Sequence, residues 1–159
     1  MSSSILDWGT IETIRIKKMK KLIHTKSINY YLFAIFFFSI FYLYEKHTGG
    51  SDSTISEWLI NYEGGFTKRG LIGQLSIILS NIANIELRDS ILIFQITIVG
   101  IYLLLLSFFL SKIKLDKLIF LTIFSPIFIL YPVAEVEVLA RKEVFIFCFF
   151  LVYLFNKNK

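Results

Sequence analysis

Ser90-Ile91-Leu92-Ile93-Phe94-Gln95-Ile96-Thr97-Ile98-Val99-Gly100-Ile101-Tyr102-Leu103-Leu104-Leu105-Leu106-Ser107-Phe108-Phe109-Leu110 contains no charged residue. At 1.5 Å per residue a helix of that length reaches about 31 Å, the thickness of a bilayer's hydrocarbon core. Only Gln95, Thr97, Gly100 and Ser107 interrupt it as weakly polar or small positions. The stretch predicts a membrane span at 90–111, and the rest of the chain reads outward from it.

Towards the amino terminus, Ile28 to Tyr44 is apolar, with Tyr30 and Tyr31 at one end and Tyr42 and Tyr44 at the other, where aromatic belts belong. It predicts a first span at 28–44. The run is longer than a signal peptide's apolar region and has no small-residue cleavage pattern, so it reads as a retained helix. Residues 1–27 form a basic segment carrying Arg15, Lys17, Lys18, Lys20, Lys21 and Lys26. It reads either as an interfacial amphipathic helix or as a solvated basic tail.

Towards the carboxyl terminus, Lys112, Lys114, Asp116 and Lys117 make a short turn before a third apolar run, 118–133, which contains Pro126 and Pro132. Pro126 should kink that helix. A fourth run, 138–155, reaches spanning length only if its helix begins near Val138 and takes Arg141, Lys142 and Glu143 into its first turns. On such a helix Glu137 and Arg141 stand four apart and would pair. Lys142 would lie off that face.

The fold class is therefore all-α, a polytopic bundle of about four spans over residues 28–159. The composition agrees, since 55 % of the 159 residues are hydrophobic. The basic segments flank apolar runs, so the net charge of +5 speaks of lipid and topology and not of nucleic acid. They predict a cytoplasmic amino terminus and outward-facing loops after the first and third spans. Cys148 is the single cysteine, so no intrachain disulfide or thiolate cluster can form. His24 and His47 flank the first span and cannot share a metal. No cofactor or metal is implied.

The loop 45–89 holds the most distinctive residues. Leu71, Leu75, Ile78, Leu79 and Ile82 recur at helical spacing among polar residues, which predicts an amphipathic helix lying along the outer surface. Before it stand Gly64, Gly65, Lys68, Arg69, Gly70 and Gly73. Glycine-rich turns let successive amides cradle an anion, and a following helix amino terminus favours one at the same place. Lys68 and Arg69 add charge, and a phosphate or diphosphate at the membrane boundary would suit the set. The same residues also read as a turn resting among ordinary headgroups. Glu45, Glu63 and Glu135 are candidate general bases if an apolar setting shelters them, and otherwise are solvated carboxylates.

Glu63-Gly64-Gly65-Phe66-Thr67-Lys68-Arg69-Gly70-Leu71-Ile72-Gly73, followed later by Ala140-Arg141-Lys142-Glu143, resembles the amino-terminal part of multispanning bacterial proteins of O-antigen and capsule assembly. Those proteins are similar to lipid-linked-sugar glycosyltransferases and polysaccharide polymerases. The resemblance runs from about Tyr30 to Phe155, and its distinctive core is Gly-Gly-Phe and Arg-Gly-Leu. It implies binding of a polyprenyl-diphosphate-linked glycan at the outer leaflet and transfer of glycan there; Lys68, Arg69 and Arg141 would grip the diphosphate, and Lys142, pointing into an outward cavity, is a further substrate-binding candidate. Such proteins continue through more helices than this chain holds. The expectation is an enzyme fragment of polysaccharide assembly, or alternatively a small non-enzymatic membrane subunit or an inactive relative. A channel or transporter finds little support, since Gln95, Thr97 and Ser125 make too thin a polar path.

Overall fold

A computed structural model describes residues 8–50, 52–66, 70–113, 121–123, 130, 133 and 139–157. The helices are α1 (Trp8–Thr48), α2 (Asp52–Leu59), α3 (Gly70–Ala83), α4 (Leu87–Lys112) and α5 (Val144–Lys157), and the described residues contain no strand. The fold is all-α. Among the described residues two helices are long and apolar enough to cross a membrane, Lys26–Thr48 within α1 and Leu87–Lys112.

The first of these continues a longer helix. No glycine or proline occurs between Gly9 and Gly49, so nothing interrupts the backbone as α1 passes from the basic segment into the apolar one. Gly49 and Gly50 stop it, the latter at φ +73°.

α1 and α4 pack antiparallel and in register. His47 Nε2 stands 2.9 Å from Asp89 Oδ1. Further along, the Phe36 ring closes on Gly100, and Ser107 donates from Oγ to Asn29 Oδ1 at 2.9 Å. Steps of 11 and 7 residues along one helix are matched by 11 and 7 along the other. Both intervals are close to whole helical turns, so the same faces meet throughout. The buried face of α4 includes Ile91, Val99, Tyr102, Leu106 and Leu110.

The His47–Asp89 pair marks one end of the helix pair. Asp89 is half exposed, so a double-mutant cycle through His47→Ala and Asp89→Ala should give a coupling under about 1 kcal/mol. A larger coupling would show that the pair is sheltered from water.

α5 runs alongside α4 in the same direction. Tyr102 meets Phe147 edge-on and Phe109 meets Phe155, each with ring centroids 6.3 Å apart. At the far end Lys112 Nζ sits 4.9 Å over the Phe155 ring. At 14 residues α5 is about 21 Å long, short of a bilayer's core.

The expected helix from Val138 is corrected here. Ala140 takes φ +57°, a left-handed conformation that a continuing right-handed helix cannot contain. Residues 141–143 form a turn, and the amides of Val144, Phe145 and Ile146 bond the carbonyls of Arg141, Lys142 and Glu143. Glu137, the expected helical partner of Arg141, lies outside the described residues. Most of the third run, including Pro126 and Pro132, lies outside the described residues.

α3 forms where the 71–85 pattern predicted a helix, and it is too short to span. It ends in a Schellman motif: Asn84 adopts φ +55°, and Ile85 N–H reaches back to the Ser80 carbonyl at 3.2 Å. The chain then turns directly into α4, so α3 and α4 make a hairpin. The face of α3 turned into the protein carries Gly70, Gly73 and Ser76. Leu71, Leu75, Ile78 and Ile82 point away from it.

Candidate functional site

The short helix α2 joins the two stretches that the sequence singled out. Ile55 and Trp58, three apart on an eight-residue helix, face inward. Trp58 is fully buried, donates from Nε1 to the Ala140 carbonyl at 3.0 Å, and lies 6.1 Å from the Phe145 ring. That bond spans 82 positions of sequence. It ties the glycine-containing loop to the turn that carries Arg141, Lys142 and Glu143.

Gly73 closes the other side. A Cβ there would overlap the carbonyl oxygen of Ile60 and come within 2.8 Å of the Trp58 carbonyl oxygen. Only glycine lets α3 approach the end of α2 this closely. The loop between them is a tight turn: Gly65 has φ +116° and its amide bonds the Tyr62 carbonyl at 3.0 Å. The Glu63 amide donates to Asn61 Oδ1 at 3.0 Å, an Asx turn. Tyr62 and Phe66 stack with centroids 5.8 Å apart.

Of the predicted residues, Gly70 is buried at the start of α3 and Gly64 stands exposed in the turn. Arg141 and Lys142 are half-buried. Lys142 lines a groove of about 460 Å³ with Leu71, Leu75, Thr97, Ile101 and Phe149. Lys68, Arg69 and Glu135 lie outside the described residues. Glu45, at the end of α1, and Glu63 are both exposed, so neither has the sheltered setting expected of a general base.

Glu143 does have one, and the sequence reading passed over it. The residue is half-buried, and its Oε2 is enclosed without a hydrogen bond from the protein. Gln95 Nε2 and Gln74 Oε1 are enclosed in the same way. Gln95 is only 3 % exposed and interrupts the apolar run of α4. Buried polar atoms of this kind are satisfied by water or a ligand. Trp58 was also passed over, although an inward Ile-x-x-Trp pair inside a polar loop is a readable signal.

Among the described residues no group of three His, Cys, Asp or Glu side chains could hold a metal. Among the described residues the site offers the Arg141 and Lys142 cations, backbone amides and the enclosed Glu143 carboxylate. Comparison with protein-family models, with curated proteins and with solved structures finds no match.

The strained Ala140 gives a local test. Ala140→Gly removes a Cβ from a left-handed residue, relief of about 1 kcal/mol that offsets glycine's extra chain entropy. Its unfolding midpoint should stay near that of the wild type although the position is fully buried. Ala140→Val should lower it clearly.

Proposed function

We propose that this chain is an integral membrane protein of surface-polysaccharide assembly, binding an anionic lipid-linked glycan at the end of the bundle where α2, α3 and the Arg141 turn meet. α1 and α4 are the spans, the amino terminus is cytoplasmic, and the membrane is the bacterial inner membrane. The observation that supports the membrane reading is the exterior of the bundle. Phe33, Phe37 and Phe41 on α1, Leu104 and Phe108 on α4, and Phe149 on α5 all stand exposed. In water such a surface would aggregate, and in lipid it is the expected solvent face.

The Trp58–Ala140 bond supports the ligand reading. It brings the helix that precedes the glycine loop against the turn that carries Arg141 and Lys142, and the reading has Lys68 and Arg69, which lie outside the described residues, serve the same anion. A diphosphate joined to a lipid carries both the charge and the apolar tail that such a setting favours. Glu143, with an enclosed oxygen and no protein partner for it, replaces Glu45 and Glu63 as the preferred base for activating a sugar hydroxyl.

The experiment is photo-crosslinking of a polyprenyl-diphosphate sugar to the protein in proteoliposomes. Arg69→Ala and Arg141→Ala should each reduce capture at least about tenfold at normal abundance, the loss of one charge-assisted contact. Glu143→Gln should leave capture intact and remove transfer. Capture unchanged by both arginine substitutions would sink the ligand reading. A second reading, a non-enzymatic subunit, draws on Phe66, which is 90 % exposed and stacked on Tyr62. A crosslinker placed at Phe66 would then capture a protein in place of a lipid.

A further inference from the structure

We infer that the groove between α3, α4 and α5 holds the polyprenyl tail of the lipid-linked ligand, which enters sideways from the outer half of the bilayer and brings its diphosphate to Lys142. The inference rests on the ligand reading proposed above and assigns the place of the tail, which that reading leaves open.

Three helices wall the groove, whose volume is about 460 Å³. α4 supplies Phe94, Thr97 and Ile101, while Lys142 and the Phe145 and Phe149 of α5 face them. Both sets recur at three and four residues, the spacing of a single helix face. α4 and α5 run in the same direction, with Tyr102 against Phe147 and Phe109 against Phe155, so the two walls descend together. Leu71 and Leu75 of α3 close the third side. From Phe94 to Ile101 the groove follows α4 for about 10 Å.

Its floor and its rim differ. Ile98 at the floor is buried, whereas Leu71, Leu75, Ile101 and Phe149 at the rim are exposed. The groove therefore opens sideways, onto the surface that the membrane reading gives to lipid. α4 sets its level: the uncharged stretch from Ser90 to Ser111 is about 33 Å long, close to the hydrocarbon thickness of about 30 Å, so the apolar layer begins near Ser90. Phe94 lies about 6 Å below Ser90 along α4 and Ile101 about 16 Å below it. The groove thus occupies the half of the layer where outer-leaflet chains lie.

Charge selects the occupant. Among the described residues that line the groove, Lys142 is the one that carries a charge. It stands where the α5 wall begins, and its long stem can carry the ammonium towards the boundary. Below it the walls are apolar, since Thr97 donates its hydroxyl to the Ile93 carbonyl at 2.7 Å. An apolar trough that starts at a cation complements an anionic head followed by an apolar chain. The tail itself gains little by the move, because bilayer and groove are alike apolar. What the groove supplies is room: a head seated at the Arg141 turn needs an exit for its tail that does not cross the protein. Filling the groove should therefore weaken binding of the tailed ligand and leave binding of the bare diphosphate unchanged.

The test uses the full chain in phosphatidylcholine–phosphatidylglycerol proteoliposomes and a polyprenyl diphosphate carrying a benzophenone in the tail near its head. Adducts mapped by mass spectrometry should fall on the groove walls, at 71–75, 94–101 and 145–149. Ile101→Trp and Leu75→Trp fill the groove from opposite walls, and each should reduce capture at least about tenfold. Leu104→Trp, on exposed surface of α4 outside this groove, should leave capture unchanged. Inorganic diphosphate should compete for the remaining capture at the same concentration in every variant. Should one tryptophan variant fail to fold, the other and the wild-type adduct map decide. Full capture in the folded variants, or adducts that lie elsewhere while capture still depends on Arg141, overturns the groove and leaves the ligand reading standing. Phosphatidylglycerol bearing the same benzophenone, if it labels the groove equally and is not displaced by polyprenyl diphosphate, also overturns the inference. No capture by the wild type would end the ligand reading and the inference with it.

Discussion

Trp58→Ala should destabilise the protein by about 3–5 kcal/mol, the range for removing a large buried aromatic side chain. Trp58 is fully enclosed, packs on Phe145 and supplies the hydrogen bond to the Ala140 carbonyl. The substitution therefore leaves a cavity and a buried carbonyl without its partner, and it releases the left-handed Ala140 from the contact that holds it. Trp58→Phe separates these contributions. It keeps most of the packing and loses the indole N–H, so its cost should be nearer the about 1–3 kcal/mol of an unsatisfied buried group. Unfolding in mixed micelles titrated with denaturing detergent reads both values. Equal and small losses would mean that α2 is not anchored to the Arg141 turn. Loss of ligand capture in Trp58→Phe, with the fold retained, would show that the bond also sets the site's geometry.

Gly73→Ala should be as damaging in a different way. The added methyl would overlap backbone atoms of Ile60 and approach the Trp58 carbonyl. Backbone cannot rotate aside as a flexible side chain can, so α3 must move away from α2. Overpacking costs typically about 1–3 kcal/mol, and here the upper end or more is expected because both neighbours are main chain. Gly64→Ala supplies the control, since nothing lies within 4 Å of the Cβ it would create. It should leave stability nearly unchanged. If Gly73→Ala were equally silent, the close approach of α2 and α3 would be wrong.

Much of the helical layout can be read from residue order. The uncharged run of α4, the apolar part of α1 and the periodic stretch of α3 each carry their own local signal, because length and spacing are properties of a single segment. Asn84, at the end of α3, is a residue type suited to the left-handed cap that it occupies. The turn at Gly64 and Gly65 is equally local. Other features were not legible. Ala140 gives no warning of a left-handed break, since alanine is the best helix former, and the Trp58 indole that meets its carbonyl comes from 82 positions away. Glu143 looks like any terminal carboxylate until its neighbours enclose it. The role of Gly73 depends on where the Ile60 carbonyl arrives.

The sequence by itself determined that the chain is helical, where the apolar parts of α1 and α4 run and where its glycines permit sharp turns. Only the tertiary structure decided which side of each helix faces the protein. α3 shows why: its period reveals two unlike faces, and the common rule would turn Leu71, Leu75, Ile78 and Ile82 inward. Instead Gly73 and Ser76 pack inside. Where the surroundings are as apolar as the side chains, leucine gains little by leaving them, and close backbone approach between small residues selects the contact. Periodicity records that the faces differ, while the partner and the solvent determine which one is buried.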